Sequence, residues 1–161
     1  ALREAGYRVI VLTNQSGVAR GYFPETVVHE VHRRFERELR EHGAQWDAIY
    51  YCPHHPEGVV PAYRRVCACR KPATGLVERA AREFALDLQR CVFIGDKYTD
   101  IMLAHRVGAR GVLVLTGHGR EEWERSQKEG WRPPDHVAEN LWEAVRWVLS
   151  HERGAECRAT P

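Results

Sequence analysis

The chain has 161 residues and a mass of 18.6 kDa, which is enough for one domain with a buried core. Its hydrophobic fraction of 43% and charged fraction of 29% are ordinary for a globular protein. The net charge of +2 is too small to indicate a nucleic-acid-binding face. No apolar run approaches the length of a membrane span. We therefore expect neither a nucleic-acid partner nor a membrane partner.

Strands and helices alternate along the chain. Segments that are apolar nearly throughout predict parallel strands buried on both faces, and apolar residues at helical spacing between them predict helices. Gly6 would close a helix that has already begun at residue 1, and Pro24 suits the first turn of the next helix. The predicted elements are, in chain order, a helix end at 1–5, a strand at 7–13, a loop at 14–22, a helix at 24–42, strands at 46–51 and 91–94 separated by a helix at 74–85, a loop at 95–99, a helix ending at 107, a strand at 111–115 and a helix at 141–149.

This alternation predicts a three-layer, Rossmann-like α/β domain with a mostly parallel sheet over residues 1–150, followed by a polar tail at 151–161. In such folds ligands bind beyond the carboxyl ends of the strands. Polar motifs occupy two of these positions, at residues 13–17 and 95–97. We expect a functional site there, although a polar loop with a glycine is equally consistent with simple capping.

Three cysteines and a histidine give the strongest chemical signal in the sequence. Cys52 and His54 form one close pair, and Cys67 and Cys69 form a second pair after an intervening loop. Three thiolates and one imidazole suit a closed tetrahedral zinc site, whereas disulfides would need an oxidising compartment. His55 is the alternative histidine ligand, because spacing alone does not distinguish two adjacent histidines.

Charged residues near the cysteines and after a strand indicate anion and cation binding. Lys71 follows the second cysteine pair and precedes Pro72, which restrains its backbone, so we expect its ammonium group to face an anion rather than open solvent. Asp96 follows a strand directly, and a carboxylate in that position suits Mg²⁺. Asp100 falls in the first turn of the next helix, where the helix dipole favours a carboxylate.

Taken in order, the motifs resemble those of the haloacid dehalogenase superfamily of phosphatases. The matching segments are 13–21, the Cys-x-His pair at 52–54, the Cys-x-Cys pair at 67–69 with the Arg-Lys-Pro run at 70–72, and the Gly-Asp-Lys-x-x-Asp run at 95–100. Within the superfamily they are most similar to the zinc-containing D-glycero-D-manno-heptose 1,7-bisphosphate 7-phosphatases and the related histidinol-phosphatase domains. The resemblance covers roughly residues 1–150.

The resemblance implies a role for each matched position. Thr13 and Lys71 would stabilise the transferring phosphoryl group, and Asp96 would be a Mg²⁺ ligand. The zinc would be structural and would shape the loop that presents Arg70 and Lys71. Substrate contacts would come from Asn14, Gln15, Ser16, Arg70 and Lys97. Phosphoryl transfer depends on positioning and charge stabilisation, which these residue types supply.

The implied function is Mg²⁺-dependent hydrolysis of a phosphate monoester on a small sugar bisphosphate. The resemblance favours the 7-phosphate of a heptose 1,7-bisphosphate, in the carbohydrate metabolism that supplies lipopolysaccharide precursors. Histidinol-phosphate hydrolysis by the same machinery is an alternative, and an inactive phosphate-binding pseudoenzyme is another. The chain opens without an apolar leader segment, from which we expect a cytoplasmic protein, and we expect a monomer.

One family motif has no counterpart in these residues. The family's first strand ends in Asp-x-Asp, whose first carboxylate is the nucleophile that forms an aspartyl-phosphate. No Asp-x-Asp occurs in the 161 residues. We expect an N-terminally truncated sequence, lacking the first strand of the fold, and no phosphatase activity from these residues alone.

Overall fold

The structure, a computed structural model, describes residues 1–151, so the tail predicted at 151–161 lies almost wholly outside the described residues. The elements are β1 (Ile10–Asn14), α1 (Glu25–Glu41), β2 (Ala48–Cys52), α2 (Gly75–Phe84), β3 (Val92–Gly95), α3 (Tyr98–Arg106), β4 (Arg110–Val114), α4 (Gly119–Glu129), β5 (His136–Ala138) and α5 (Leu141–His151). They fall into two compact units, one spanning Arg8–Ala80 and the other formed by Ala1–Tyr7 with the chain from Ala81 onward. Among residues 1–151, no helix is long and apolar enough to cross a membrane.

The first unit, Arg8–Ala80, is built on two parallel strands. β1 pairs with β2 in a register that places Ile10 opposite Ala48 and Asn14 opposite Cys52. Because the strands are parallel, the polar segment after β1 and the cysteine-containing segment after β2 leave the sheet at the same edge. The backbone N–H of Gln15 donates to the carbonyl of Cys52 at 2.8 Å, which continues this pairing beyond the strand ends.

The second unit has a three-stranded parallel sheet in the order β3-β4-β5. Alternation along β4 sends its side chains to opposite faces of the sheet. Val112 and Val114 pack with Ala144 of α5 on one face, while Leu113 packs with Ile101 of α3 on the other. All of these side chains are buried. This unit is therefore a helix–sheet–helix sandwich, and the predicted parallel α/β class is confirmed.

Three features of the second unit differ from the predictions. Neither α4, whose one large apolar side chain is Trp123, nor β5, which has only three residues, was predicted from the sequence. α4 is held in place by its contacts, because Glu122 accepts a hydrogen bond from the backbone N–H of Tyr98 at 2.8 Å. The predicted helix end at 1–5 is a hydrogen-bonded turn, closed by Gly6 with φ of 87°.

His136 of β5 gives the second unit a pH-dependent stability. Its ring stacks on Trp147 of α5 with centroids 4.7 Å apart, and Trp147 also stacks on His151. Burial, and then the charge of His151, lower the pKa of His136 below its ordinary value. The unfolded chain therefore binds a proton at His136 near pH 6.5, whereas the folded chain binds it only at lower pH. The contribution of His136 to the free energy of unfolding is therefore fully present above pH 6.5 and is lost as the pH falls.

We expect the urea midpoint of unfolding to fall less between pH 7.5 and pH 5 in a His136→Phe variant than in the unsubstituted chain. Phenylalanine preserves a ring that can stack on Trp147 but cannot be protonated. Because the other histidines are common to both proteins, the difference between the two pH profiles isolates this residue. Identical pH profiles would show that His136 titrates with the same pKa in both the folded and unfolded states.

Candidate active site and metal centre

Cys52, His54, Cys67 and Cys69 lie together at the end of β2. Their ligand atoms all fall within 4.8 Å of one another. The Sγ atom of Cys69 is 3.2 Å from each of the other two Sγ atoms and 3.2 Å from Nδ1 of His54. These cysteines form no disulfide. Tetrahedral zinc with Zn–S bonds of about 2.3 Å implies sulfur–sulfur separations of about 3.8 Å, so the group could hold a zinc ion after small side-chain adjustments.

The geometry distinguishes between the two adjacent histidines. His54 is only 9% exposed and directs Nδ1 at the thiols, while its Nε2 lies 2.6 Å from the Arg65 guanidinium. His55 lies outside the group: its Nδ1 accepts from the backbone N–H of Glu57, and its Nε2 is 3.0 Å from the guanidinium of Arg20. His54 is therefore the histidine of the metal-binding group.

Burial favours the neutral forms of Cys52 and His54. It raises the pKa of the Cys52 thiol, and together with the Arg65 charge it lowers the pKa of His54. For Cys67, burial is outweighed by the hydrogen bonds with Cys69 and Cys52, which lower the pKa of its thiol. Cysteine must lose its proton to ligate a metal, and the metal supplies the positive charge that stabilises the thiolate. A divalent cation that binds sulfur and nitrogen ligands, such as Zn²⁺, would therefore supply the positive charge that these thiolates need.

A carboxylate from α1 supports the loop that carries the cysteines. Glu25 accepts hydrogen bonds from the hydroxyls of Tyr51, at 2.9 Å, and Tyr63, at 2.7 Å. The Tyr63 bond contributes most to lowering the pKa of Glu25, while burial, followed by the contact with Glu25, raises the pKa of Tyr51 to about 12. The Tyr63 ring lies 6.3 Å from that of His54, which links α1 to the metal-binding group. This network was not predicted from the sequence, because nothing in the spacing of these residues indicates it.

The polar segment after β1 is tightly folded against the cysteine loop. The backbone N–H of Val60 donates to the carbonyl of Ala19 at 3.0 Å, and both Val18 and Ala19 are buried. A side chain at Gly17 would collide with the Phe23 ring, which explains the glycine in this turn. Within the segment, the Thr13 hydroxyl accepts a hydrogen bond from the Gln15 side chain at 3.1 Å.

Lys71 contacts β1 through both its side chain and its backbone. Its Nζ donates to the carbonyl of Leu12 at 2.6 Å, and its backbone is hydrogen-bonded to the Asn14 side chain. The peptide bond between Lys71 and Pro72 is cis. Arg70 donates from Nη1 to the carbonyl of His54 at 3.3 Å. The structure therefore brings Lys71 to the strand that carries Thr13, and it brings Arg70 beside the metal-binding group.

Asp96 follows β3, in the second unit. Its Oδ2 accepts from the backbone N–H of His118 at 3.0 Å, and Gly117, with φ of 59°, leaves no room for a side chain beside the carboxylate. Asp100 lies in the first turn of α3, as predicted, and the structure adds a capping bond in which its Oδ2 accepts from the backbone N–H of Lys97. Among residues 1–151, Asp96 belongs to no group of three or more potential metal ligands. Magnesium characteristically uses one or two protein carboxylates with waters, so a single carboxylate is compatible with that ion.

The parallel α/β fold, the polar segment after β1 and the cysteine–histidine group define the chain as a haloacid-dehalogenase-like hydrolase. A family model described as HAD-hydrolase-like matches residues 68–144. A D-glycero-D-manno-heptose-1,7-bisphosphate 7-phosphatase of Thermosynechococcus vestitus is 43% identical over 154 residues, covering 93% of this chain and 78% of the relative. The chain belongs to this family of heptose bisphosphate phosphatases.

Further comparisons agree with that assignment. A D-glycero-beta-D-manno-heptose-1,7-bisphosphate 7-phosphatase of Haemophilus ducreyi is 36% identical over 149 residues, covering 91% of this chain and 78% of the relative. The crystal structure of a D,D-heptose 1,7-bisphosphate phosphatase from B. bronchiseptica, complexed with magnesium and phosphate, matches with a TM-score of 0.81. That match has 33% sequence identity and covers 93% of this chain and 78% of the crystallised one.

Proposed function

We propose that the protein hydrolyses the 7-phosphate of D-glycero-D-manno-heptose 1,7-bisphosphate in a Mg²⁺-dependent reaction. The observation that carries the proposal is the contact of Lys71 with β1. The Lys71 ammonium donates to the carbonyl of Leu12, the residue before Thr13, so a cation lies against the strand that carries the Thr13 hydroxyl. Donors and positive charge at such a position favour the charge that develops on a transferring phosphoryl group.

The remaining roles follow from the residue types and positions. Thr13 and Lys71 stabilise the phosphoryl group, and Asp96 is a ligand of Mg²⁺, which neutralises phosphate charge when bound. Zinc held by the cysteine–histidine group is structural and fixes Arg70 and Lys71. The proposed substrate contacts are Gln15, Ser16, Arg70 and Lys97. None of the residues of this chain is assigned as the nucleophile.

The experiment that tests the proposal measures phosphate release by the protein expressed from its complete gene. The substrates compared are heptose 1,7-bisphosphate and histidinol phosphate, each with Mg²⁺ and with EDTA. We expect kcat/KM to favour the bisphosphate by about 10²-fold or more, since polar groups built for one ligand are left unpaired by another. A preference for histidinol phosphate would overturn the substrate assignment, and phosphate binding without turnover would indicate a pseudoenzyme.

The small phosphorylated sugar is the one partner that the proposal requires. We further propose that the protein is a monomer located in the cytoplasm. Light scattering on the purified protein and fractionation of the source cells test these two points separately. A dimer, or recovery outside the cytoplasmic fraction, would contradict the corresponding part without affecting the substrate assignment.

A further inference from the structure

The side chain of Asn14 is engaged with the backbone of Lys71. The Lys71 N–H donates to Oδ1 of Asn14 at 3.0 Å, and Nδ2 of Asn14 donates to the Lys71 carbonyl at 3.1 Å. The two residues are 57 positions apart, so these bonds join the end of β1 to the segment after the second cysteine pair. An amide is suited to this pairing because it offers an acceptor and a donor side by side, as a neighbouring strand does.

β1 also fixes the other end of Lys71. The ammonium donates at 2.6 Å to the carbonyl of Leu12, two residues before Asn14 on the same strand. The backbone of Lys71 is thus held at one point of β1 and its charge at another, so the flexible lysine chain spans two fixed ends. A long side chain loses much conformational entropy when it is ordered. Because the Lys71 backbone is already fixed, less conformational entropy is lost when the substrate binds.

We propose that Asn14 is a positioning residue for Lys71 rather than chiefly a substrate contact. Its two amide bonds hold the Lys71 backbone at the carboxyl end of β1 and thereby set where the Lys71 ammonium lies along that strand. The inference rests on the proposed function, in which Lys71 stabilises the transferring phosphoryl group. It also revises the sequence-based expectation for Asn14, since a side chain whose acceptor and donor atoms both bond to Lys71 acts on the substrate through Lys71.

The test is a double-mutant cycle on the protein expressed from its complete gene, with kcat/KM for heptose 1,7-bisphosphate as the readout. A misplaced catalytic group costs on the order of 10²-fold, so we expect Asn14→Ala alone to lower kcat/KM by about 10- to 100-fold. In a Lys71→Ala background the same substitution should change kcat/KM by less than about threefold, because residues that act as a unit are not additive.

Gln15→Ala is the matched control. Gln15 is the next residue in the chain and is also a proposed substrate contact, but its side chain donates to Thr13 rather than to Lys71. Whatever fold-change in kcat/KM the Gln15→Ala substitution causes, that fold-change should be the same with Lys71 present and in the Lys71→Ala background. Zinc content and the unfolding midpoint of every variant show whether the fold is retained. If Asn14→Ala does not fold, the isosteric Asn14→Asp, which keeps an acceptor for the Lys71 N–H, replaces it in the cycle.

The outcomes separate the inference from the proposed function. If Lys71→Ala is strongly impaired and the Asn14 effect disappears in that background, Asn14 acts through Lys71. If the two effects multiply, Asn14 contacts the substrate independently, and the inference is overturned while the proposed function stands. If Lys71→Ala retains full activity, the proposed role of Lys71 fails, and the inference fails with it.

Discussion

Replacing Cys69 with serine is expected to abolish stoichiometric zinc binding. The Sγ atom of Cys69 contacts all three other ligand atoms of the group. It lies 3.2 Å from both other sulfur atoms and 3.2 Å from Nδ1 of His54. Loss of an outer-shell partner costs about 10- to 100-fold in metal affinity, and loss of a thiolate ligand should cost more. Zinc content after gel filtration, measured with a chromogenic chelator, should fall from one ion per chain to near zero.

Cys91→Ser is the control for this substitution. Cys91 also forms no disulfide, but its Sγ donates to the carbonyl of Asp87 in the second unit, and Cys91 is not one of the four residues of the metal-binding group. This variant should retain one zinc per chain. Equal zinc in the two variants would refute the assignment of Cys69, and a zinc-free unsubstituted chain would refute the metal site as a whole.

Zinc loss should also change the segment between β2 and α2. The turn that holds Cys67 and Cys69 is packed against the start of α2, where the Gly75 N–H donates to the Ala68 carbonyl at 2.8 Å. Because free energy of metal binding is also free energy of folding, removing the ion should expose this segment. Limited proteolysis of the Cys69→Ser variant should therefore cut first between β2 and α2, and cleavage elsewhere would argue against a structural role for zinc.

Much of the fold could be predicted from the sequence, because its main elements have strong local signals. The near-continuous apolar runs of β1 and β3 predict parallel strands by composition alone. The strands are present, but every residue of both is only half-buried, so the burial on both faces that the runs predict is not seen in this structure. α4 and β5 lack such signals. α4 buries only Gly119 and Ser126, and its position depends on contacts such as the Glu122 carboxylate at the start of α3, which no periodicity shows.

The candidate site was predictable where chemistry is carried by close spacing in the sequence. The close spacing of Cys52 with a histidine, and of Cys67 with Cys69, predicted the metal-binding group. The structure adds the choice of His54, because spacing cannot show which imidazole faces the thiols. Contacts between residues far apart in the sequence could not be predicted. The Glu25 carboxylate between two tyrosines joins residues 26 and 38 positions apart, and a contact at that separation depends on the fold rather than on a local pattern. The use of the Asn14 amide was missed for the same reason.

Replacing Asp96 with asparagine is expected to remove Mg²⁺-dependent activity. The substitution preserves an oxygen that can accept from the His118 N–H, as Oδ2 of Asp96 does at 3.0 Å, so the loop after β3 should be retained. It removes the negative charge that a hard cation requires. Losing one preorganised electrostatic group costs about 10²- to 10³-fold in kcat, and we expect a loss of at least that order in the protein expressed from its complete gene.

Asp87→Asn controls for the loss of a carboxylate in the same unit. The Asp87 side chain accepts from the backbone N–H of Gln89, a capping role that asparagine can also fill, so its kcat and its Mg²⁺ requirement should be unchanged. If Asp96 is a metal ligand, the residual activity of Asp96→Asn should need a higher Mg²⁺ concentration for half-saturation. A lower kcat with an unaltered Mg²⁺ dependence would instead mean that Asp96 only orders the Gly117 turn, and the magnesium assignment would be wrong.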